Sequence, residues 1–150
     1  MRFEGHQLID APRAAVWSFV MDPEKVASCA PDVESVEVQD ATHYRVVAKV
    51  GVGFIRVRFT VTVELTEALE PDRAALRARG HAPGSAVEAS ATMALSGPPG
   101  GPTRLDWIAD ATIHGTIASV GARLIEGTGY KIADQVFVTM RAKIEAGAAA

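Results

Sequence analysis

Four histidines, His6, His43, His81 and His114, are the side chains best suited to holding a metal, but no two stand at a recognised ligand spacing. His6 and His114 fall in the first and last strand-like segments, so a sheet that pairs those segments could bring them together. Asp106 and Asp110 share one face of a strand, and two carboxylates can divide acid and base roles. Ordinary polar alternation also accounts for them, and no nucleophile or partner base accompanies them. Cys29 is the single cysteine, which excludes an internal disulfide and a thiolate metal cluster. Beside Pro31 it reads as a small apolar filler rather than a reactive helix-terminal thiol. Gly51 and Gly53 precede a strand and lack the downstream Lys-Ser/Thr of a phosphate loop. Arg56 and Arg58 alternate outward and describe either a solvated face or a contact for an acidic partner.

The one constellation with functional weight is apolar. Trp17, Phe19, Tyr44, Phe54, Phe59, Met93, Trp107, Tyr130, Phe137 and Met140 are aromatic or flexible side chains that could line a shared cavity. Val46, Val57, Leu76 and Leu124 join them on the same reading. Many inward strand positions are small, namely Ala48, Ala78, Ala89, Ala91, Ala109 and Ala111, and small facing residues imply close helix contact or unfilled space. From this set the expected cavity lining includes Ala89, Ala109 and Ala111, and a Tyr44 or Tyr130 hydroxyl is expected to orient a ligand carbonyl.

These side chains need a scaffold, and the composition supports one. The 150 residues are 48% hydrophobic and 22% charged, which suits one folded domain. Lys and Arg number 15 against 18 Asp and Glu, a net charge of −3, which argues against nucleic acid as a partner. No apolar run reaches membrane-helix length, and Met1–Gly5 enters a strand pattern without a signal-peptide core. A cytoplasmic location is therefore expected.

Phe3–Asp10 reads as extended. Asp10 and Pro12 open a short helix, with Asp10 as its cap, and Asp22-Pro23 opens another that runs to about Cys29. From Val33 the period becomes two: Val33–Val38, Tyr44–Val50, Phe54–Leu65, Ala74–His81, Val87–Leu95 and Leu105–Ile113 alternate apolar with polar. Pro71-Asp72 and Gly97–Pro102 are turns. Ile117–Glu145 has helical spacing, with Gly127 and Gly129 expected either to bend it or to bring its backbone close to a neighbour. Tight connections make the sheet antiparallel, and its apolar face must be covered, which only the last helix is long enough to do. The expectation is an α+β domain over residues 1–146, a curved antiparallel sheet of about seven strands around a long C-terminal helix, followed by a frayed tail at 147–150.

This order, with particular residues, resembles the carbon monoxide dehydrogenase G-subunit (CoxG) family of the START-like, helix-grip (SRPBCC) superfamily. The resemblance rests on Phe3-Glu4-Gly5, Asp10-Ala11-Pro12 with Val16-Trp17, Asp22-Pro23-Glu24-Lys25-Val26 and Cys29-Ala30-Pro31. It continues through Lys49-Val50-Gly51-Val52-Gly53, Thr103-Arg104-Leu105 with an aromatic after it, and Gly121–Gly127. Asp32 stands where a glycine is common in the family. The resemblance implies an accessory protein of a molybdenum hydroxylase of the carbon monoxide dehydrogenase type. It further implies a cavity for an isoprenoid quinone such as menaquinone, no covalent cofactor, and recruitment to the membrane by peripheral contact at its inner face. The expected function is thus non-enzymatic binding of a hydrophobic ligand. Two alternatives stay open: a small cyclase or hydrolase of the same fold, and a recruitment module with a filled core.

Overall fold

In the computed structural model, which describes residues 1–149, the alternating segments form one seven-stranded antiparallel sheet in the order β1-β7-β6-β5-β4-β3-β2. Its strands are β1 (Arg2–Ile9), β2 (Val33–Val38), β3 (His43–Val52), β4 (Ile55–Leu69), β5 (Arg73–Ala82), β6 (Ser85–Ser96) and β7 (Thr103–Gly115). Two short helices, α1 (Arg13–Val20) and α2 (Pro23–Ala27), follow β1, and α3 (Ala122–Ala149) closes the chain. From β2 to β7 each strand pairs with the next in sequence, and β1 pairs with β7.

Proline and aspartate start the short helices in different ways. Asp22 accepts hydrogen bonds from the backbone N–H groups of Glu24 (3.1 Å) and Lys25 (3.2 Å), a true N-cap. At α1 the expected Asp10 cap is not formed; Pro12 occupies the cap position in an extended conformation and its ring pre-sets the chain instead. Thr103 is buried and donates to the Ala11 carbonyl at 2.8 Å, and Arg13 reaches Asp72 (3.1 Å) and the Gly97 carbonyl. These bonds fasten α1 to the β4–β5 and β6–β7 turns. Lys143 of α3 donates to the Ser28 hydroxyl at 2.9 Å and so holds the end of α2.

The expected single helix from Ile117 is divided. Thr116–Val120 form a 3₁₀ turn, Gly121 takes a left-handed φ of 99°, and only then does α3 begin. The reason is packing: Ile117 is 5% exposed, and it and Val120 lie in a core cluster with Val52, Phe59 and Ala82, which a continuous helix could not reach while also covering the sheet. Gly127 and Gly129 do not break α3. Gly129 instead brings the backbone against β1, where an added Cβ would lie 2.5 Å from the Phe3 ring. The helix is continuous through Gly147 to Ala149, and Ala150 of the expected tail lies outside the described residues. Phe54 is not in a strand but in the β3–β4 turn, and β4 extends four residues beyond the expected Leu65 end to Leu69. Asp32 has φ 61°, the left-handed conformation glycine adopts freely and aspartate tolerates, so the turn keeps the geometry a glycine would give.

Apolar side chains collect into two clusters at the two ends of the grip. One contains Ile9, Val16, Trp17, Leu105, Met140 and Ile144; the other is the Val52–Phe59–Ala82–Ile117 group. The candidate site opens against the first cluster, whose Ala74 and Met140 and the half-buried Leu65, Met93, Trp107 and Phe137 packed on it also line the site.

Candidate functional site

Register fixes which inward residues share a line across the sheet. Val38 of β2 pairs with Tyr44 of β3, and Tyr44 with Val63 of β4. In the next rows Leu65 faces Leu76 and Leu76 faces Ala91, then Ala74 faces Met93 and Met93 faces Trp107. Over these rows lies a cavity of about 420 Å³, roofed by Phe137 and Met140 of α3 and walled by Val20, Met21, Pro23 and Val26 of the α1–α2 segment. A volume of this size is in the range of small-molecule sites. Its inner end is aromatic: Trp107 and Phe137 stack with centroids 5.2 Å apart at 17°. Its mouth is the β2–β3 turn, where Asp40, Ala41 and Thr42 are exposed.

Polar groups in the lining are few. Burial pushes the Tyr44 phenol above its ordinary value, because the phenolate would lose water without gaining a partner. None of the hydrogen bonds among the described residues uses its hydroxyl, which leaves that group free for a ligand. Asp40 is already committed: it accepts from the backbone N–H groups of Thr42 and His43, each at 2.8 Å, and lies 2.9 Å from His43 Nδ1. These bonds, the Thr42 N–H foremost, hold its carboxyl down to about 2. Because the folded value lies below the ordinary value near ~4, the turn is stabilised at and above that range and loses this contribution as pH falls through about 2. The amide resonances of Thr42 and His43 should therefore titrate with a midpoint near 2, and Asp40→Asn should remove the titration; a midpoint near ~4 would show that the carboxylate does not organise the turn.

Of the residues expected from the sequence, Tyr44, Leu76, Met93, Trp107, Phe137 and the companion Met140 line this cavity. The others lie elsewhere. Trp17 is buried in the core below α1 with Phe19 packed against that cluster, and Phe59 is buried in the opposite cluster with Val57 against it. Val46 faces Val61 in the adjoining row, outside the lining. Ala89, Ala109 and Ala111 do face inward, as alternation with outward Ile108 and Asp110 requires, but Ala109 pairs with Phe3, whose ring backs onto Gly129. That flank is covered by the helix, and the open space lies toward β3–β5. Leu124 is half-exposed beside Gly53, and Phe54 is 92% exposed. Tyr130 packs edge-on against Phe3 (5.2 Å) and its hydroxyl accepts the Glu4 N–H at 3.4 Å, so it is already partnered outside the cavity.

Sequence reasoning missed the α1–α2 wall, the β2–β3 mouth, Val63, Leu65, Ala74 and the role of Ala91. Val20, Met21 and Val26 carried a signal, since they are apolar in helices too short to bury them on their own. Asp106 and Asp110 are outward: Asp110 pairs with Arg2 at 2.9 Å, which lowers its carboxyl, and Asp106 pairs with Arg104 at 3.1 Å. His6 faces Asp106 and His114 faces Ala86, so strand pairing does not unite the histidines. Among the described residues no group of three or more His, Cys, Asp or Glu could hold a metal ion. Arg58 is engaged by Glu34 at 2.8 Å, and that contact is the main reason the Glu34 carboxyl is lowered.

The model of the carbon monoxide dehydrogenase G-subunit (CoxG) family matches residues 5–145. The chain belongs to that family. No curated relative matches it by sequence. Among solved structures, a conserved protein from Geobacillus kaustophilus is similar with a TM-score of 0.88 at 21% identity, covering 96% of this chain and 95% of that one. A START superfamily protein from Mycobacterium smegmatis matches with a TM-score of 0.70 at 11% identity over 96% and 97% of the two chains. The ZhuI aromatase/cyclase from Streptomyces sp. R1128 gives a TM-score of 0.72 at 18% identity over 97% and 93%. These likenesses establish the START-like fold. The CoxG family takes its name from carbon monoxide dehydrogenase, and for this member no helix among the described residues is long and apolar enough to cross a membrane.

Proposed function

We propose that this CoxG-family protein is a non-enzymatic carrier of an apolar ligand, an isoprenoid quinone such as menaquinone, for a molybdenum hydroxylase of the carbon monoxide dehydrogenase type. The observation that carries this reading is the apolar 420 Å³ cavity with the half-buried Tyr44, its hydroxyl unpartnered, set in its wall. An apolar ligand would gain about 25 cal/mol for each Å² taken from water, and the hydroxyl would give direction by donating to a quinone carbonyl. Family membership supports the partner, and peripheral contact with a membrane would supply the ligand.

Catalysis of the kind named for the aromatase/cyclase is the rival reading. It requires an acid and a base that exchange protons inside the cavity. Among the described residues the lining holds one carboxylate, Asp40, and no histidine, lysine or arginine. That carboxylate is held by its own turn, which favours binding over turnover.

Titration with a short-chain menaquinone analogue tests the proposal. Trp107 lines the cavity and should be quenched, whereas Trp17 lies in the core outside the lining. Tyr44→Phe should weaken binding by about three- to tenfold, the worth of one neutral hydrogen bond, with little change in melting temperature. Quinone recovered unchanged fits a carrier; conversion of the bound compound, or no quenching at all, would overturn the reading.

A further inference from the structure

We infer that the cavity is a tail-first gauge: it admits a single apolar arm of about three isoprene units and keeps the polar head at the β2–β3 turn. This inference rests on the quinone reading above and adds an orientation and a length to it.

The shape comes from the sheet. One lining residue per strand, Val38, Tyr44, Val63, Leu76, Ala91 and Trp107, carries the cavity across β2 to β7 in spatial order. The line is not straight: Val63 pairs with Ala78 and Ala91 with Ala109, so the lining shifts by two residues between β4 and β5 and again between β6 and β7 and runs diagonally over the sheet.

The length follows from the volume. A protein cavity of about 150 Å³ holds benzene, six heavy atoms. By that measure 420 Å³ holds about 17 heavy atoms, which is three five-carbon units with little to spare. A long isoprenoid tail cannot be enclosed.

Orientation follows from where the polar groups lie. The inner end is Trp107 stacked on Phe137, with Met93 and the 3% exposed Met140 beside them. A carbonyl carried there would lose water and find no side-chain donor except the indole N–H. At the other end are the Tyr44 hydroxyl, Thr42 and open solvent. The head therefore stays where a second protein can reach it.

The test is a series of 2-methyl-1,4-naphthoquinones bearing none, one, two, three, four, six or nine isoprene units, with farnesol as a tail without a head, each titrated against tryptophan fluorescence. Affinity should rise at least tenfold per unit to the third and then stay level or fall; farnesol should bind within about tenfold of the three-unit quinone. Ala91→Leu, which narrows the path one strand short of its inner end, should move the break to a shorter tail, and Ala91→Val serves the same purpose if the leucine variant misfolds. Head-only quinone binding as tightly as the three-unit compound would overturn the orientation, and affinity still climbing at nine units would overturn the gauge; either result leaves the quinone reading intact. Folded protein that binds no tailed quinone would remove the quinone reading, and the inference with it.

Discussion

Ala91→Trp is expected to abolish quinone binding, by a hundredfold or more, while the melting temperature holds or rises. Ala91 lies on β6 between Leu76 and Ala109, and it lines the cavity one strand short of the aromatic inner end. An indole there occupies space the ligand needs. In a filled core the same change would force neighbours off their rotamers and cost about 1–3 kcal/mol. In unfilled apolar space it adds contacts and is neutral or stabilising. Ala111→Trp is the matched control, since Ala111 faces inward in the row with Ala89, outside the lining. Binding and thermal melting of both variants check the claim. A sharp fall in melting temperature for Ala91→Trp would instead identify a closed core and favour a recruitment module without ligand.

Gly115→Ala should be the most damaging single methyl in the molecule. Gly115 ends β7 at φ 86°, and a Cβ built there would lie 2.0 Å from the Gly84 carbonyl oxygen and 2.9 Å from the Ser85 Cα. Both obstacles are backbone, so no side chain can rotate aside. The strand pair Ser85–Gly115 and the bond from Ile117 N–H to the Ser85 hydroxyl (3.0 Å) would have to open. A loss of about 3–5 kcal/mol is expected, the range reserved for steric and backbone faults of this kind. Gly121→Ala separates strain from collision, because Gly121 has φ 99° but nothing within 4 Å of an added Cβ. It should lose only about 1–3 kcal/mol, the cost of backbone strain without collision. Chemical denaturation of the two variants measures the difference, and equal losses would show that conformational strain alone, not the approach of β7 to the β5–β6 turn, makes glycine necessary.

Much of this protein was legible as pattern. Alternation of apolar and polar residues located every strand to within a few positions, because a strand with one covered face must repeat at two. Asp22-Pro23 announced α2 because a capping side chain and a proline act within three residues of themselves. Errors came where the deciding contact is remote. The divided helix at Gly121 depends on Ile117 reaching Val52 and Phe59, and the lost Asp10 cap depends on Pro12 and on Thr103 holding Ala11 from β7. Tyr130 and Tyr44 looked equivalent as candidate head-group donors. Only the fold gives the Tyr130 hydroxyl the Glu4 N–H and leaves that of Tyr44 unpartnered.

By itself the sequence determined the class of the fold, the family, the inward face of each strand and the apolar character of whatever that face contacts, since all of these follow from neighbours along the chain. The tertiary structure alone decided which inward residues enclose space. Ala91 and Ala111 alternate identically in sequence, yet Ala91 lines the cavity and Ala111 does not. The difference arises because Gly129 lets α3 close on Phe3 and β1, which leaves the sheet open toward β3–β5 and lets α1 and α2 wall the gap. A cavity is made of one residue from each of many strands, and cross-strand register and helix placement, which no local period encodes, select those residues.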